Sequence, residues 1–481
     1  MNYRMITYIL GWILLFQAGF LLVPTVTALA YGEEAIKGFL LTMAICLAIG
    51  SLPILRKPKK TELRARDGFV IVSLCWILLT VSGALPFMFV DLGAANEINY
   101  FDALFEAASG FTTTGSSIMT DVEILPRSIN IWRCFTHWVG GMGVLVFIMA
   151  FLPLSGGRNM HMMKAESPGP SVSKLVPRVR TTALLLYSIY FVLTVVMFIV
   201  YLIGGMPVFE ALCTSFGTAG TGGFSFYNDG MNRFSPFLQV MIGTFMLIFS
   251  INFESYFLLI KRKWRDALTT EVITFILIVA SAVGIITWSL RDTYGTVWEG
   301  LRHAYFTVAS LISTTGYATA NYDLWPELGK ATLMMLFFIG ACAGSTGGGV
   351  KVSRLVILFK SIAREISNAI HPKQVKKITV DGKPVEQSTV NSVFIFFACY
   401  IIFFGFSVLI VSLDGADFIT NFSAVATALG NVGPGFARVG PTGNFAFFSN
   451  LSKLVLTFDM LAGRLELIPM LVLFSPKTWK K

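Results

Sequence analysis

Apolar residues run in long stretches along nearly the whole chain. Four of them, Met5 to Ala28, Phe69 to Val90, Thr182 to Leu202 and Val393 to Val411, reach the roughly 20 residues that a helix needs to cross a bilayer. The first is as long as a full span and is followed by Glu33 and Glu34 rather than by a small-residue cleavage site, so it reads as the first helix and not as a removed signal peptide. No sizeable soluble domain fits between the runs. One interruption stands out. YFDALFEA, residues 100–107, is too short to span, and ASGFTTTGSS, residues 108–117, is built largely of small and hydroxyl-bearing side chains. Non-helical backbone at membrane depth is tolerated only where protein buries it or water lines it. The pair predicts a short helix that enters and stops, followed by a re-entrant loop.

Aligned on Gly115, the chain holds three more copies of helix, short amphipathic run, small-residue loop and helix. The loops read SGFTTTGSS (109–117), TSFGTAGTG (214–222), SLISTTGYA (310–318) and TALGNVGPG (427–435). In register, their cores are Thr112-Thr113-Thr114-Gly115, Gly217-Thr218-Ala219-Gly220, Ser313-Thr314-Thr315-Gly316 and Gly430-Asn431-Val432-Gly433. The last glycines of the cores fall 105, 96 and 117 residues apart, and each short helix has an acidic residue near its start: Asp102, Glu210, Glu299 and Asp417. A carboxylate there complements the positive end of the helix dipole. Gly and Thr are frequent packing residues in membrane helices, so one T-x-G carries little weight; four copies at similar spacing carry the argument. The fold class expected is an all-α polytopic membrane protein, with four pseudo-symmetric helix–pore loop–helix repeats around a central pore and two extra N-terminal transmembrane helices. Its units are 1–66 (the two extra helices), 67–180, 181–266, 267–388 and 389–481.

Composition agrees: 55% of the 481 residues are hydrophobic and 13% charged, against about 25% charged in a soluble domain. The net charge of +10 raises the question of nucleic acid, but its distribution answers it. Arg4, LRKPKKTELRAR (55–66), residues 156–180, KRKWRD (261–266), residues 351–383 and the tail PKTWKK hold 27 of the 37 Lys and Arg. The other connections, such as DLGAANEINYFD (91–102) and LDGAD (413–417), are acidic. This is the positive-inside asymmetry. It predicts a multi-pass plasma-membrane protein, with both termini and the basic connections in the cytoplasm and the four loops on the external half. The six cysteines, with no C-x-x-C spacing, indicate packing rather than a disulfide framework or zinc site.

Four such loops around one axis suit a cation. Glycine takes positive φ without steric cost, so successive carbonyls can turn toward the axis and replace a hydration shell, as in potassium-channel filters. Thr and Asn at the second position of each core add oxygen ligands at the inner end, and the short helices point their negative C-terminal ends inward. No core residue is charged. The external acids would concentrate cations at the mouth.

The four units with T-x-G or N-V-G cores, preceded by two extra helices, resemble the TrkH branch of the TrkH/KtrB bacterial potassium transporters over essentially the full chain. The resemblance implies one potassium-selective filter within the subunit, built from the four cores above, with Gly115, Gly220, Gly316 and Gly433 at their last positions. It implies potassium as the transported ion with no cofactor in the chain, residence in the bacterial inner membrane, pairing as a homodimer, and docking on a cytosolic ring of nucleotide-binding (NAD/ATP-type) regulatory subunits. Asn431-Val432 departs from the threonine pattern, which gives the fourth segment a different inner-end ligand.

FFIGACAGSTGGGVK, residues 337–351, predicts a broken helix, because each Gly costs roughly 1 kcal/mol relative to Ala in a helix. It fails as a nucleotide loop, since GGGVK is followed by Val352 and not by Ser or Thr. By resemblance it is an intramembrane loop under the filter, with Gly340, Gly344, Gly347, Gly348, Gly349 and Lys351 as gate residues. Arg464 lies in FDMLAGRLELIPML. A charge at that depth costs about 2.5–3.5 kcal/mol and must face water or a partner; Asp459 and Glu466 do not share its helical face. The residues alone leave a salt bridge to another helix and a pore-facing charge open, and the resemblance favours an electrostatic barrier in the pore. The basic stretch 360–383 reads as a mobile segment for anionic lipid or the cytosolic partner. A proton- or sodium-coupled symporter is the nearest rival, and would predict inverted repeats and mid-depth carboxylates. The four histidines are isolated and form no catalytic set, which argues against an intramembrane enzyme.

Overall fold

The computed structural model describes residues 1–55, 58, 63–143, 179–372 and 377–480. Twenty α-helices, four three-residue 3-10 helices and one small hairpin fall among them. The N-terminal part holds α1 (Tyr3–Phe20), α2 (Leu22–Tyr31) and α3 (Ile36–Ile54). The first unit has α4 (Ala65–Phe89), α5 (Tyr100–Phe111) and α6 (Arg127–Gly141); the second α7 (Val179–Ile203), α8 (Val208–Ala219), α9 (Pro236–Ser250), α10 (Phe253–Ile260) and α11 (Trp264–Ala267). The third has α12 (Thr270–Ser289), α13 (Val297–Ile312), α14 (Glu327–Leu336) and α15 (Val352–Ile370), then β1 (Thr379–Val380) paired with β2 (Lys383–Pro384). The fourth has α16 (Gln387–Val411), α17 (Phe418–Gly430), α18 (Asn450–Arg464), α19 (Ile468–Phe474) and α20 (Pro476–Trp479). Among the described residues, six helical segments are long and apolar enough to cross a membrane, among them the near-continuous Tyr3–Tyr31; α9 and α10, bent by 91°, make a seventh if counted as one span. The basic connection 156–180 lies, but for the backbone of its last two residues, outside the described residues.

The four short helices α5, α8, α13 and α17 share one construction. Asn99, Thr296 and Asp417 cap α5, α13 and α17 by accepting hydrogen bonds from first-turn amides, while Pro207 starts α8. Asp102, Glu210 and Glu299 sit in first turns, and Asp417 is itself the cap. Such caps satisfy amides that no helical carbonyl reaches.

The basic segment is more ordered than the sequence reading allowed. Val380-Asp381-Gly382-Lys383 makes a two-residue turn with φ of 50° at Asp381 and 73° at Gly382, the left-handed pair that Asp-Gly favours in hairpins. Ile378 packs with Ile357, Val390 and Val393, and the Lys360 ammonium donates to the Thr379 carbonyl at 2.7 Å. Residues 373–376 of this segment lie outside the described residues.

One buried ion pair braces the first two units. Arg133 Nε donates to Glu106 Oε1 at 2.8 Å, with both side chains at most 1% exposed. The same guanidinium donates to the Ser225 carbonyl at 2.9 Å and to Ser117 Oγ at 3.1 Å, and it covers the Phe224 ring at 4.3 Å. Glu106 accepts in turn from Ser117 Oγ and the Ile118 amide. The pair thus holds the backbone that leaves the first loop against the backbone that leaves the second. Removing one partner of a buried pair strands the other charge and costs about 3–5 kcal/mol. Arg133→Ala should lower the unfolding temperature of detergent-solubilised protein by that order of stability, whereas Glu106→Leu with Arg133→Met should recover most of it.

Candidate functional site

Each short helix ends in the same turn. The amides of Thr114, Gly222, Thr315 and Val432 reach back five residues to the carbonyls of Ser109, Gly217, Ser310 and Thr427, at 2.8–2.9 Å. The amides of Thr113, Thr221, Thr314 and Asn431 bond the carbonyls three residues back. This is a Schellman-type helix end, which needs a left-handed residue. Thr113, Thr221, Thr314 and Asn431 supply it at φ of 53–59°, and two residues later Gly115, Gly223, Gly316 and Gly433 take φ of 79–103°.

The repeated geometry fixes the register, and it corrects one expected core. Thr112 to Gly115, Ser313 to Gly316 and Gly430 to Gly433 occupy the four successive positions of the turn. In the second unit those positions belong to Gly220, Thr221, Gly222 and Gly223. Gly217, Thr218 and Ala219 are still in α8, and Gly220 stands at the first position rather than the last. The physical reason is that α8 runs one turn further than an alignment on T-A-G allows. Its Thr218 hydroxyl is a packing group that accepts from Tyr201 at 3.4 Å.

The turns surround one axis. A Cβ added to Gly115 would lie under 3.0 Å from the Gly222 carbonyl oxygen, one on Gly223 from that of Thr315, one on Gly316 from that of Val432, and one on Gly433 from that of Thr114. Each last-position glycine therefore abuts the third-position carbonyl of the next segment, in chain order, and the fourth closes on the first. The closing seam is tied by Ser116 Oγ donating to the Gly433 carbonyl at 2.9 Å and Asn431 Nδ2 donating to Thr114 Oγ1 at 3.0 Å. His137 locks the first two segments from behind. Its Nδ1 meets the Gly110 carbonyl at 2.8 Å, and its Nε2 accepts from the Phe224 amide at 3.2 Å, which requires the neutral Nδ1–H tautomer.

Cavities flank the ring on both sides. The outer one, about 160 Å³, is lined by Gly115, Gly223, Gly316 and Pro434, and extends to Asn228 and Asn444. Beside it the Asn228 amide, bonded to Asp121, holds that carboxyl below the usual range; at the start of α17 the Thr420 hydroxyl does the same for Asp417. The inner cavity, about 80 Å³, is bounded by Gly347, Gly348, Gly349, Lys351, Arg464 and Glu466 among others. On the turns themselves, Thr113 Oγ1 and Asn431 Oδ1 are buried with no hydrogen-bond partner among the described residues. They are oxygens available to an ion.

The segment 337–351 separates α14 from α15. Gly340 donates to the Val350 carbonyl at 2.8 Å, while Gly344 and Gly349 take φ of 73° and 67°. Gly348 donates its amide to Thr314 Oγ1 at 2.7 Å, and a Cβ on it would strike Asn431. Gly347 likewise packs against the Ser313 carbonyl. The loop thus presses on the inner faces of the third and fourth turns. The buried Lys351 ammonium donates to the carbonyls of Gly347 and Gly348. Arg464, the last residue of α18, donates to the Thr346 carbonyl at 2.8 Å and to those of Gly140 and Gly141 at 2.7 and 2.8 Å. It therefore bridges the loop to the end of α6 through backbone oxygens. The acids near it in sequence are engaged elsewhere: Glu466 pairs with Arg354, and Asp459 accepts from Ser407 Oγ at 2.8 Å.

Sequence reading found one broken helix where the structure has more. The α9–α10 bend falls between Ser250 and Phe253, and α18 gives way to α19 through Glu466 and Leu467, both at positive φ. The α9–α10 break supports the loop, because Cys342 donates to the Ser250 carbonyl and Thr346 to that of Phe249. Asn252, which caps α10, was the available signal. Glu106, Arg133 and Glu271 were also missed, although charges within apolar segments mark buried partners.

A family model for the TrkH cation transport proteins matches residues 35–481. The Trk system potassium uptake protein TrkH of Salmonella typhimurium (strain LT2) is 36% identical over 491 residues, covering 100% of both chains. The Trk system potassium uptake protein TrkI of Halomonas elongata is 31% identical over 479 residues, covering 98% of this chain and 95% of that one. The crystal structure of the potassium transporter TrkH from Vibrio parahaemolyticus matches with a TM-score of 0.89 at 33% identity, covering 100% of both chains. The chain belongs to the TrkH family of cation transport proteins.

Proposed function

We propose that the chain takes up potassium across the bacterial inner membrane through one filter built from its four turns. The observation that carries this reading is the cyclic packing of Gly115, Gly223, Gly316 and Gly433 against the neighbouring third-position carbonyls. A dehydrated cation needs several oxygen dipoles at once, and the turns offer uncharged ones: carbonyls, threonine hydroxyls and the Asn431 amide oxygen. The family is one of transporters, and nothing in this reading asks for bond chemistry. An ion enters from the outer cavity, where Asp121, bonded to the cavity-lining Asn228, raises the local cation concentration, and loses its water at the ring.

Below the ring the Gly340 to Gly349 loop and Arg464 act as a closed gate. The loop occupies the inner faces of two turns, and Arg464 adds a positive charge to the inner cavity. Lys351 pins the loop from below. Opening requires the Gly348 to Thr314 and Arg464 to Thr346 hydrogen bonds to break together. Both termini are cytoplasmic in this reading, so the hairpin and α15 face the cytosol, where anionic lipid head groups and a nucleotide-binding regulatory ring have access. The protein pairs as a homodimer. The names of the relatives, Trk system potassium uptake proteins, support the substrate.

A proton-coupled reading has one observation in its favour. Asp459 is fully buried in α18, and its Oδ2 has no hydrogen-bond partner among the described residues, which is the setting of an intramembrane proton carrier.

In proteoliposomes with imposed gradients, Gly115→Ser and Gly223→Ser should each abolish discrimination between potassium and sodium; unchanged permeability to both would refute the filter. Register has its own test. Thr221→Val should reduce rubidium uptake about tenfold, equivalent to about 1.4 kcal/mol, while Thr218→Val should leave the selectivity between the two ions as in wild type. Arg464→Ala should raise resting rubidium flux, and flux unchanged both there and with a shortened loop would sink the gate. If uptake is proton-coupled, Asp459→Asn should flatten its dependence on pH; the same pH profile as wild type removes that reading.

A further inference from the structure

Glu271 lies in the first turn of α12, on neither the ring nor the gate loop, yet one of its oxygens ties the middle of the loop to the start of the helix that follows it. Oε1 accepts from the Ala343 amide at 2.7 Å and from the Ser353 amide at 2.9 Å. Ser353 is the second residue of α15, and Ala343 stands midway through the unwound segment. Both are helix-break amides without an intrahelical carbonyl to bond. At this depth an unbonded amide is costly, so a single carboxylate that satisfies two of them fixes how the broken helix folds back on itself.

The residue before Glu271 is held from the cytoplasmic side. Asp381, at the hairpin turn, accepts from the Thr270 amide and from Thr270 Oγ1, both at 2.7 Å. Thr269 caps the same helix end through the Val272 amide. The hairpin is in turn seated on α15 and α16 through Ile357, Ile378, Val390 and Val393. A continuous path of hydrogen bonds and adjacent residues therefore runs from Asp381 to Thr270, from Thr270 to Glu271, and from Glu271 to the two amides of the loop.

We propose that Glu271 is the positioning residue of the intramembrane loop, and that the hairpin turn at Asp381 sets Glu271 by holding the N-terminus of α12. The consequence for transport rests on the gate reading above; the positioning itself does not. A displacement of the exposed hairpin shifts the first turn of α12 and withdraws the acceptor shared by Ala343 and Ser353. The loop then loses the anchor that presses Gly347 and Gly348 against the third and fourth turns.

The test is hydrogen–deuterium exchange by mass spectrometry on the full-length protein in lipid nanodiscs, following peptides that cover residues 337–355. Glu271→Ala should speed exchange at Ala343 and Ser353 about tenfold, equivalent to about 1.4 kcal/mol. Glu271→Gln keeps a carbonyl oxygen in place and should give a smaller increase. Asp381→Ala, a change at an exposed turn that leaves the membrane segments intact, should speed exchange at the same two amides. Wild-type exchange in the Glu271 variants overturns the positioning role, and wild-type exchange in Asp381→Ala overturns the link to the hairpin. Rubidium flux on the same samples separates the two readings. Faster exchange with unchanged flux keeps the positioning and removes the gate, whereas wild-type exchange with raised flux in Arg464→Ala removes the positioning and keeps the gate.

Discussion

A peptide group at the depth of a bilayer has no water to bond, and the architecture of this chain follows from how it ends helices under that constraint. Each of α5, α8, α13 and α17 stops inside the protein, and each stop uses the same left-handed turn to return an amide to a carbonyl five residues earlier. The turn consumes the donors and leaves carbonyl and hydroxyl oxygens in excess. Four such ends brought together make a centre rich in acceptors and free of formal charge. On the proposed filter reading, cation affinity is a by-product of solving the backbone problem the same way four times, and the glycines follow from how closely the solutions must pack.

Holding those turns has a cost. Thr113, Thr221 and Thr314 are β-branched residues in the left-handed region, where an L-residue loses roughly 1–2 kcal/mol. Such conformations persist only where the surroundings over-determine them. Here the surroundings include a buried ion pair, Arg133 with Glu106, and a neutral imidazole, His137, each bonding backbone from two units at once. These groups support the turns from the first two units, and Arg133 also lines the outer cavity. Their place is to over-determine the strained geometry, which keeps the oxygen positions of the turns fixed.

What was legible in the sequence was what repeats. Spanning runs, the acidic starts of the short helices and three of the four loop cores could be read because apolar length, helix-dipole complementarity and the T-x-G pattern each recur. The second core slipped by three residues because Gly217, Gly220, Gly222 and Gly223 offer several glycines, and composition does not say which threonine is the one past the helix end. Helix length decided it. The α9–α10 bend and the Glu466–Leu467 break carry no glycine run and were invisible to a propensity argument: the first exchanges backbone hydrogen bonds with the loop, and the second closes on carbonyls of Ala462 and Gly463 through two non-glycine residues at positive φ. Asp381-Gly382 carried a hairpin signal that the basic charge around it obscured. Glu106 and Arg133 lie 27 residues apart on different helices, so no i, i+4 pattern pairs them; they meet only once α5 and α6 are packed.

The ring is not fourfold in its chemistry, and the departures fall on one side. Asn431 accepts the left-handed conformation more readily than Thr does, so the fourth turn carries less strain than the others. Its Nδ2 also donates to the Met460 carbonyl at 2.8 Å, tying the turn to α18. The broken helix meets the ring at this same side, through Thr314 and Asn431. Arg464 then reaches from the end of α18 across to Gly140 and Gly141 on the first unit. A fourth turn anchored to α18 by a side chain, rather than by its own backbone strain, keeps ring, loop and arginine in register with one helix. On the proposed gate, the symmetric part of the molecule stays fixed while the asymmetric contacts of units three and four are the ones that must break.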